Sequence, residues 1–599
     1  MKIPHLALLP SLYAKECPEK TILFQRNRET NSWDPISWAT FNNWVEIIAT
    51  ALYDLGISND KKIAIYSQNK VESFVVDFAN FQLKAISVPL YATSSKEQVA
   101  YIINDAKVEI LFVGDQKQYD NAVAIMNECP SLRKIVAFSE EISIQKEHSI
   151  YYKTLLEQGA SSKTDFRKEM GNPEYLLNDL ATIMYTSGTT GEPKGVMLIH
   201  ENYNEAIRIH NIKLVSMSEE DTSITFLPIS HVFERAWCYV CMFKKASVYV
   251  NEFPLEIQER IQEVRPTLMC AVPRFWEKVF VAVKEAIDNY SPIMRGIVAW
   301  AISIGEKYNI KRLSKGKKAN PFLALEYYIA DKLVFSKVKK KVGIENGNFF
   351  PVAGSSLSNE ILYFFRCIGI PLMYGYGLTE TTATVSCFDY VGYQFGSVGN
   401  TMSDLQVKIS DDDEILVKGK TITPGYYNRP EANKESFTED GFFRTGDAGK
   451  LVGNHLYLTE RIKDLFKTSN GKYIAPQQIE NRLSAITAIE QVITIGDKRN
   501  FVTALIVPNR EVLQSWAIEN NLQFKDDEEM LNSQRIKDFV MNQIQEAQKG
   551  MATYEHIKKF EFIKKGFTME GGELTNTLKF RRAFIINKYD DLIEKMYKN

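Results

Sequence analysis

The sequence predicts an α/β fold: a large amino-terminal domain of α/β layers, a β-rich subdomain near its end, and a small α+β cap at the carboxyl terminus. Three observations carry this. Between Phe41 and Val113 the apolar residues switch repeatedly from helical to strand spacing. From about 396 to 460, short strand-like runs separated by turns take over and helices become scarce. After the charged stretch Arg461-Ile462-Lys463-Asp464, a tail with its own strand and helix signals begins.

Taken in order, Phe41, Trp44, Val45, Ile48, Leu52 and Leu55 recur on one helical face, and Gly56 stands where a carboxyl-terminal cap belongs. Lys62–Tyr66 then reads as a strand, about 71–83 as a helix and 85–90 as a strand. Ser94 and Glu97 have capping-box spacing before the next helix, and 108–113 is another apolar strand. In the β-rich part, 407–409 and 414–417 flank the turn Asp411-Asp412-Asp413, and 492–495 supplies a strand signal in the tail. These readings place a boundary after residue 462, dividing the chain into 1–462 and 463–599.

With 599 residues, 45% hydrophobic and 24% charged, the chain can bury a large core and form several structural units. A net charge of -2 excludes the strong basic field of a nucleic-acid-binding protein, so partners have to be read from local patches. Seven scattered cysteines form no disulfide framework and suit a reducing, cytoplasmic compartment. The first ten residues hold only a short apolar run broken by Pro4 and Pro10, which reads as neither a signal peptide nor a membrane span. Cys238-x-x-Cys241 lies among apolar neighbours without a second pair at zinc-like spacing, so it reads as core packing.

The most informative stretch is Tyr185-Thr186-Ser187-Gly188-Thr189-Thr190-Gly191-Glu192-Pro193-Lys194-Gly195, between apolar runs at 181–184 and 196–199. Its glycines let backbone amides approach an anion, while hydroxyls and Lys194 supply donors to phosphate oxygens. The glycine spacing and the β-like runs on both sides set it apart from a P-loop.

With this loop the chain resembles the acyl-adenylate-forming superfamily, which includes acyl-CoA synthetases, firefly luciferase and peptide-synthetase adenylation domains. Further matches fall in the family's order: Tyr374-Gly375-Tyr376-Gly377-Leu378-Thr379-Glu380, Phe443-Arg444-Thr445-Gly446-Asp447, Arg461-Ile462-Lys463-Asp464 and Leu574-Thr575-Asn576-Thr577-Leu578-Lys579. The resemblance implies that Thr186, Ser187, Gly188, Thr189, Thr190, Gly191 and Lys194 grip the ATP phosphates. It further implies that Thr379 contacts the α-phosphate and that Glu380 holds Mg²⁺ with phosphate oxygens. Asp447 is expected on the ribose hydroxyls with Arg461 beside it. Gly354, Ser355 and Ser356 are expected against adenine, where the family often has Gly-Ala-Pro, with Tyr376 offering its ring to the base and Gly377 following it. Lys579 is the lysine that bridges acid and ATP, with Asn576 where many relatives carry proline. Lys463 is the expected hinge about which the cap rotates between adenylation and thioester formation.

Leu227-Pro228-Ile229-Ser230-His231-Val232-Phe233-Glu234-Arg235-Ala236-Trp237 and 272–279 look like the long-chain acyl-CoA synthetases within that family, with His231 beside the acid. Arg235 stands where some relatives place a tryptophan gate. The resemblance therefore implies a long-chain fatty acid–CoA ligase that uses fatty acid, ATP, Mg²⁺ and CoA. An acyl–acyl carrier protein synthetase or fatty acyl-AMP ligase is the alternative, and a non-catalytic nucleotide or fatty-acid sensor a more distant one. Between 292 and 347, aromatic and aliphatic residues interleave with Lys311, Arg312, Lys315, Lys317, Lys318, Lys337, Lys339, Lys340 and Lys341. This segment reads either as a solvated helical hairpin or as a transient contact with an anionic membrane surface, peripheral at its inner face.

Overall fold

The computed structural model describes residues 3–598 except 146, 187–191, 463–464, 470–471, 570 and 576–579. A seven-stranded sheet forms the first layer, in the order Ser149–Tyr151, Lys134–Ala137, Ile110–Val113, Lys62–Tyr66, Ile86–Leu90, Leu180–Thr186, Lys194–Ile199. All neighbours run parallel except the last pair. Such strands are covered on both faces and read as continuous apolar runs, as Ile110–Val113 does with all four residues buried.

The helix Trp38–Asp54 is started by Ser37, whose Oγ accepts the Thr40 amide at 3.2 Å. It buries Phe41, Val45, Ile48 and Leu52, one helical stripe, and is followed by Gly56 at φ +81°. Truncating Phe41, which is wholly buried, would cost about 3–5 kcal/mol by cavity formation. The capping box expected at Ser94 and Glu97 forms one residue later. Ser95 Oγ accepts the Gln98 amide and Gln98 Oε1 accepts the Ser95 amide, because the helix Lys96–Ala106 begins only at Lys96.

An eight-stranded sheet runs in the order Phe350–Val352, Leu372–Tyr376, Ser386–Cys387, Asn400–Thr401, His455–Arg461, Phe443–Val452, Glu414–Lys418, Gln406–Ile409. The β-rich region is therefore continuous with strands well before residue 396, and the helix Pro430–Ser436 interrupts it. The turn at Asp411-Asp412-Asp413 forms as read, with Asp413 left-handed at φ +61°. A four-stranded sheet (Thr222–Ile224, Ser247–Val250, Thr21–Asn27, Ser32–Ser37) completes the body, and Ile489–Ile495, Val502–Pro508 and Ile557–Phe562 form a three-stranded sheet in the tail.

Candidate functional site

The site grows from the carboxyl end of Leu372–Tyr376, where an α/β sheet commonly receives ligands. Its neighbour Phe350–Val352 runs parallel, pairing Val352 with Tyr374, so Gly354 emerges level with the end of the Tyr376 strand. Gly354 has φ +99°, a left-handed conformation that disfavours a side chain, and Gly354 and Ser355 are exposed. After Tyr376 the chain turns so sharply that a Cβ on Gly377 would lie 1.8 Å from the Ala383 carbonyl oxygen. That tight return, through the 3₁₀ turn Thr379–Thr381 and the left-handed Thr382 and Ala383, sets half-buried Thr379 and Glu380 just beyond the strand end.

Two acidic groups are held here by tyrosines. The Tyr376 hydroxyl donates to Asp447 Oδ2 at 2.5 Å, and both residues are buried. Burial and then the Asp447 charge keep the Tyr376 phenol far above its ordinary range, so it stays a proton donor. Asp447 pairs in register with Arg461 on the adjacent strand, Arg461 Nε lies 3.5 Å from Asp447 Oδ1, and the Asp447 amide donates to Thr445 Oγ1. Asp447 and Arg461 thus lie together. Tyr376 meets them through its hydroxyl, with its ring only 7% exposed.

The second tyrosine, Tyr426, donates to Glu380 Oε1 at 2.8 Å, and the Thr423 amide donates to the Glu380 carbonyl. Lys194 Nζ stands 5.1 Å from the centre of the same Tyr426 ring. Backbone bonds tie this segment to the loop hairpin: Met197 to Gly425 and Tyr427 to Gly195. Thr186 pairs with Lys194 across the hairpin, and Lys194 and Glu380 are linked through the one side chain of Tyr426. Ser187, Gly188, Thr189, Thr190 and Gly191 within that loop, together with Lys463 and Lys579, lie outside the described residues.

His231 caps the helix Val232–Phe243, its Nδ1 accepting the Phe233 amide at 3.2 Å. Phe233, Ala236, Trp237 and Val240, at i, i+3, i+4 and i+7 of that helix, share an apolar cavity of about 40 Å³ with Gly375 and Tyr376. One polar pair interrupts its wall. His210 Nδ1 donates to the Ala206 carbonyl at 2.7 Å, so its Nε2 accepts from the Thr384 hydroxyl at 3.0 Å, and burial lowers its pKa and keeps it neutral. Arg235 turns away from the cavity. Its Nη1 meets Asp77 Oδ2 at 2.5 Å and the Tyr239 hydroxyl at 3.1 Å, and its Nε donates to the Ile229 carbonyl. Glu234 is fully buried and accepts the Leu227 amide at 3.0 Å, which fastens the stretch leading to His231. Cys238 and Cys241 are buried thiols whose pKa burial pushes well above the usual range.

Sequence reasoning missed Tyr426, Asp77 and Glu234. The Pro424-Gly425-Tyr426-Tyr427 run was a readable turn signal, but nothing local linked it to Glu380.

The Glu380 carboxylate beyond the strand end, the Thr186–Lys194 hairpin and the hydroxyl-anchored Asp447 are thus brought together by contacts between distant segments. The chain superposes on the adenylation domain of a carboxylate reductase from Mycobacterium chelonae with TM-score 0.79, 20% identity, and coverage of 100% of this chain and 91% of that one. An anthranilate CoA ligase bound to anthranoyl-AMP gives TM-score 0.75 at 16% identity over 99% of both chains. The AMP-binding enzyme family model matches residues 12–427, a model for the AMP-binding enzyme C-terminal domain matches 463–599, and the chain belongs to the AMP-binding enzyme family. Its curated relatives include the peroxisomal long chain acyl-CoA synthetase 6 of Arabidopsis thaliana, 31% identical over 92% of this chain and 80% of that protein. Another is a long-chain-fatty-acid–CoA ligase of Mycobacterium tuberculosis, 28% identical over 94% and 92%.

Proposed function

We propose that this chain is an AMP-forming long-chain fatty acid–CoA ligase. A fatty acid carboxylate oxygen attacks the α-phosphorus of ATP, pyrophosphate leaves, and the CoA thiol, losing its proton, attacks the acyl carbon of the adenylate to release AMP. The observation that carries this reading is the strand Leu372–Tyr376. It ends in a tyrosine bonded to Asp447 and runs on to Glu380, which Tyr426 holds beside the Thr186–Lys194 hairpin. Relatives named as long-chain acyl-CoA synthetases support the acid class.

Asp447 takes the ribose hydroxyls, its carboxylate already turned by Tyr376, and Arg461 stands on the ribose and phosphate side. Gly354, Ser355 and Ser356 line adenine. Thr379 and the hairpin loop with Lys194 hold the phosphates, a placement in which cations and donors stabilise charge developing in transfer. Glu380 fits Mg²⁺: its half-buried carboxylate is held through one oxygen by Tyr426, and Mg²⁺ is well served by one carboxylate with phosphate oxygens and water. When bound it would neutralise phosphate charge.

His231, at a helix amino terminus that favours anions, faces the acid. The apolar cavity beside Tyr376 receives the start of the alkyl chain. At about 40 Å³ it has room for one or two water molecules, so a long chain enters only as lining side chains move aside.

The cap, residues 463–599, turns about Lys463 and brings Lys579 to the acid and the α-phosphate during adenylation. CoA is the acceptor, with an acyl carrier protein as the rival. Among the described residues no helix is long and apolar enough to cross a membrane. The placement we propose is cytoplasmic, peripheral at the inner face of a membrane.

The test is Lys579→Ala assayed by pyrophosphate exchange and by AMP release with a panel of acids and acceptors. Exchange should collapse while transfer from synthetic acyl-adenylate survives. Full exchange in the variant would remove the assigned role, and transfer to carrier protein alone would replace CoA as acceptor.

A further inference from the structure

The helical hairpin inserted at 292–343 carries a surface unlike the rest of the chain. Of twenty-five exposed large hydrophobics among the described residues, ten lie between Tyr290 and Leu333, so the apolar surface is concentrated there. On the helix Pro292–Gly305, Ile293, Gly296 and Trp300 follow one exposed face, with Ile293 at 79% exposure. On Pro321–Ala330 the exposed positions are Phe322, Leu325, Tyr328 and Ile329, with Phe322 at 81%. Helices of a globular body ordinarily turn such stripes inward. Here the opposite faces are already used: Ala301, Ile304, Ala330 and Phe335 pack into the core with Trp276 and Phe365. The hairpin is firmly seated. Tyr308 stacks on Tyr327 with centroids 4.1 Å apart, and Asn309 donates to the Tyr327 hydroxyl and the Cys367 carbonyl.

Charge surrounds this surface. Residues 292–343 hold twelve Lys and Arg against three acids, a net of +9 on a chain whose total is -2. Exposed Lys315, Lys317 and Lys318 follow the first helix, and exposed Lys332, Lys337, Lys340 and Lys341 follow the second. A second copy docking through the same face would set +9 against +9, which opposes self-association. Aliphatic anchors such as Ile293, Leu325 and Ile329 suit acyl chains, and the basic rim suits anionic headgroups.

We propose that this hairpin is a membrane-docking surface that lies on an anionic lipid bilayer, inserting the Ile293–Trp300 and Phe322–Ile329 faces while the lysines contact lipid phosphates. It deepens the peripheral placement proposed above by naming the surface through which a ligase would meet a substrate that partitions into lipid. The experiment needs no substrate, so its failure is separable from failure of the ligase reading. The full chain is sedimented with vesicles of phosphatidylcholine alone and of phosphatidylcholine mixed with phosphatidylglycerol, at low and high salt.

The wild-type chain should bind the anionic vesicles and release with salt. The triple variant I293S/F322S/L325S should lose at least about tenfold in partitioning, and K337Q/K340Q/K341Q should lose the preference for anionic lipid by a similar factor. Unchanged melting and unchanged adenylation of a short, water-soluble acid establish that each variant is folded. If the serine variant fails that check, the glutamine variant carries the test. Absence of wild-type binding, equal binding by both variants, or a dimer that the serine variant splits without altering vesicle binding would each overturn the proposal.

Discussion

Tyr426 reaches Glu380 across 46 residues of sequence and donates its hydroxyl to one carboxylate oxygen at 2.8 Å, while its ring lies under Lys194. One side chain thus fixes the acid proposed for Mg²⁺ and the lysine proposed for phosphate. A hydrogen bond to a charged acceptor is worth about 1.5–3 kcal/mol. Tyr426→Phe keeps the ring but frees the carboxylate, so kcat/KM for ATP should fall roughly tenfold or more, with a higher Mg²⁺ requirement, read by pyrophosphate exchange across a Mg²⁺ titration. Identical titrations for variant and wild type would remove Tyr426 from the site.

Asp447 makes the corresponding case on the ribose side. Tyr376→Phe removes the donor that aims the carboxylate and should raise KM for ATP about tenfold, whereas Asp447→Asn should do more damage because it removes the double acceptor itself. Nucleotide binding by calorimetry checks the order. A Tyr376→Phe enzyme weaker than Asp447→Asn would mean that the Tyr376 hydroxyl does more than aim the Asp447 carboxylate.

What could be read beforehand was local. Lys62–Tyr66 and the helix Val71–Gln82 were legible because burial on a strand or helix leaves a period in neighbouring residues. Thr186, Lys194, Glu380, Asp447 and Arg461 were legible as motifs, and folding brings them to one strand end. Their holders were not: Tyr426 to Glu380 and Asp77 to Arg235 are contacts between distant elements, and a residue's partner across the core leaves no mark beside it in the sequence. Ser94 misled by a single residue, because Ser95 with Gln98 makes an equally good cap pattern and only the helix start decides between them.

Arg235 and Asp77 form an ion pair in which each side chain is no more than 2% exposed. Removing one partner strands the other charge in the core at a cost of about 3–5 kcal/mol, while replacing both by apolar residues of similar volume is much milder. Asp77→Leu should therefore lower the melting temperature sharply, and Asp77→Leu with Arg235→Met should recover most of it. A double variant as unstable as the sum of the singles would show that the pair is not coupled.

Glu234 gives stability a pH dependence whose sign follows from its burial. The carboxyl is pushed from 4.5 to about 8, burial outweighing the Leu227 and Phe226 amides that favour its charged form. The folded state therefore holds a proton that the unfolded chain has already released above about 4.5. Stability from this group is full below that pH and declines as pH rises through 8, by at most about 5 kcal/mol. Glu234→Gln keeps the shape and an acceptor for the Leu227 amide but cannot ionise. Melting temperatures of wild type and variant should match near pH 5, separate as pH rises to about 8 and then run level, with the glutamine enzyme the more stable. Curves that run parallel over that range would mean Glu234 ionises as readily in the folded protein as in water.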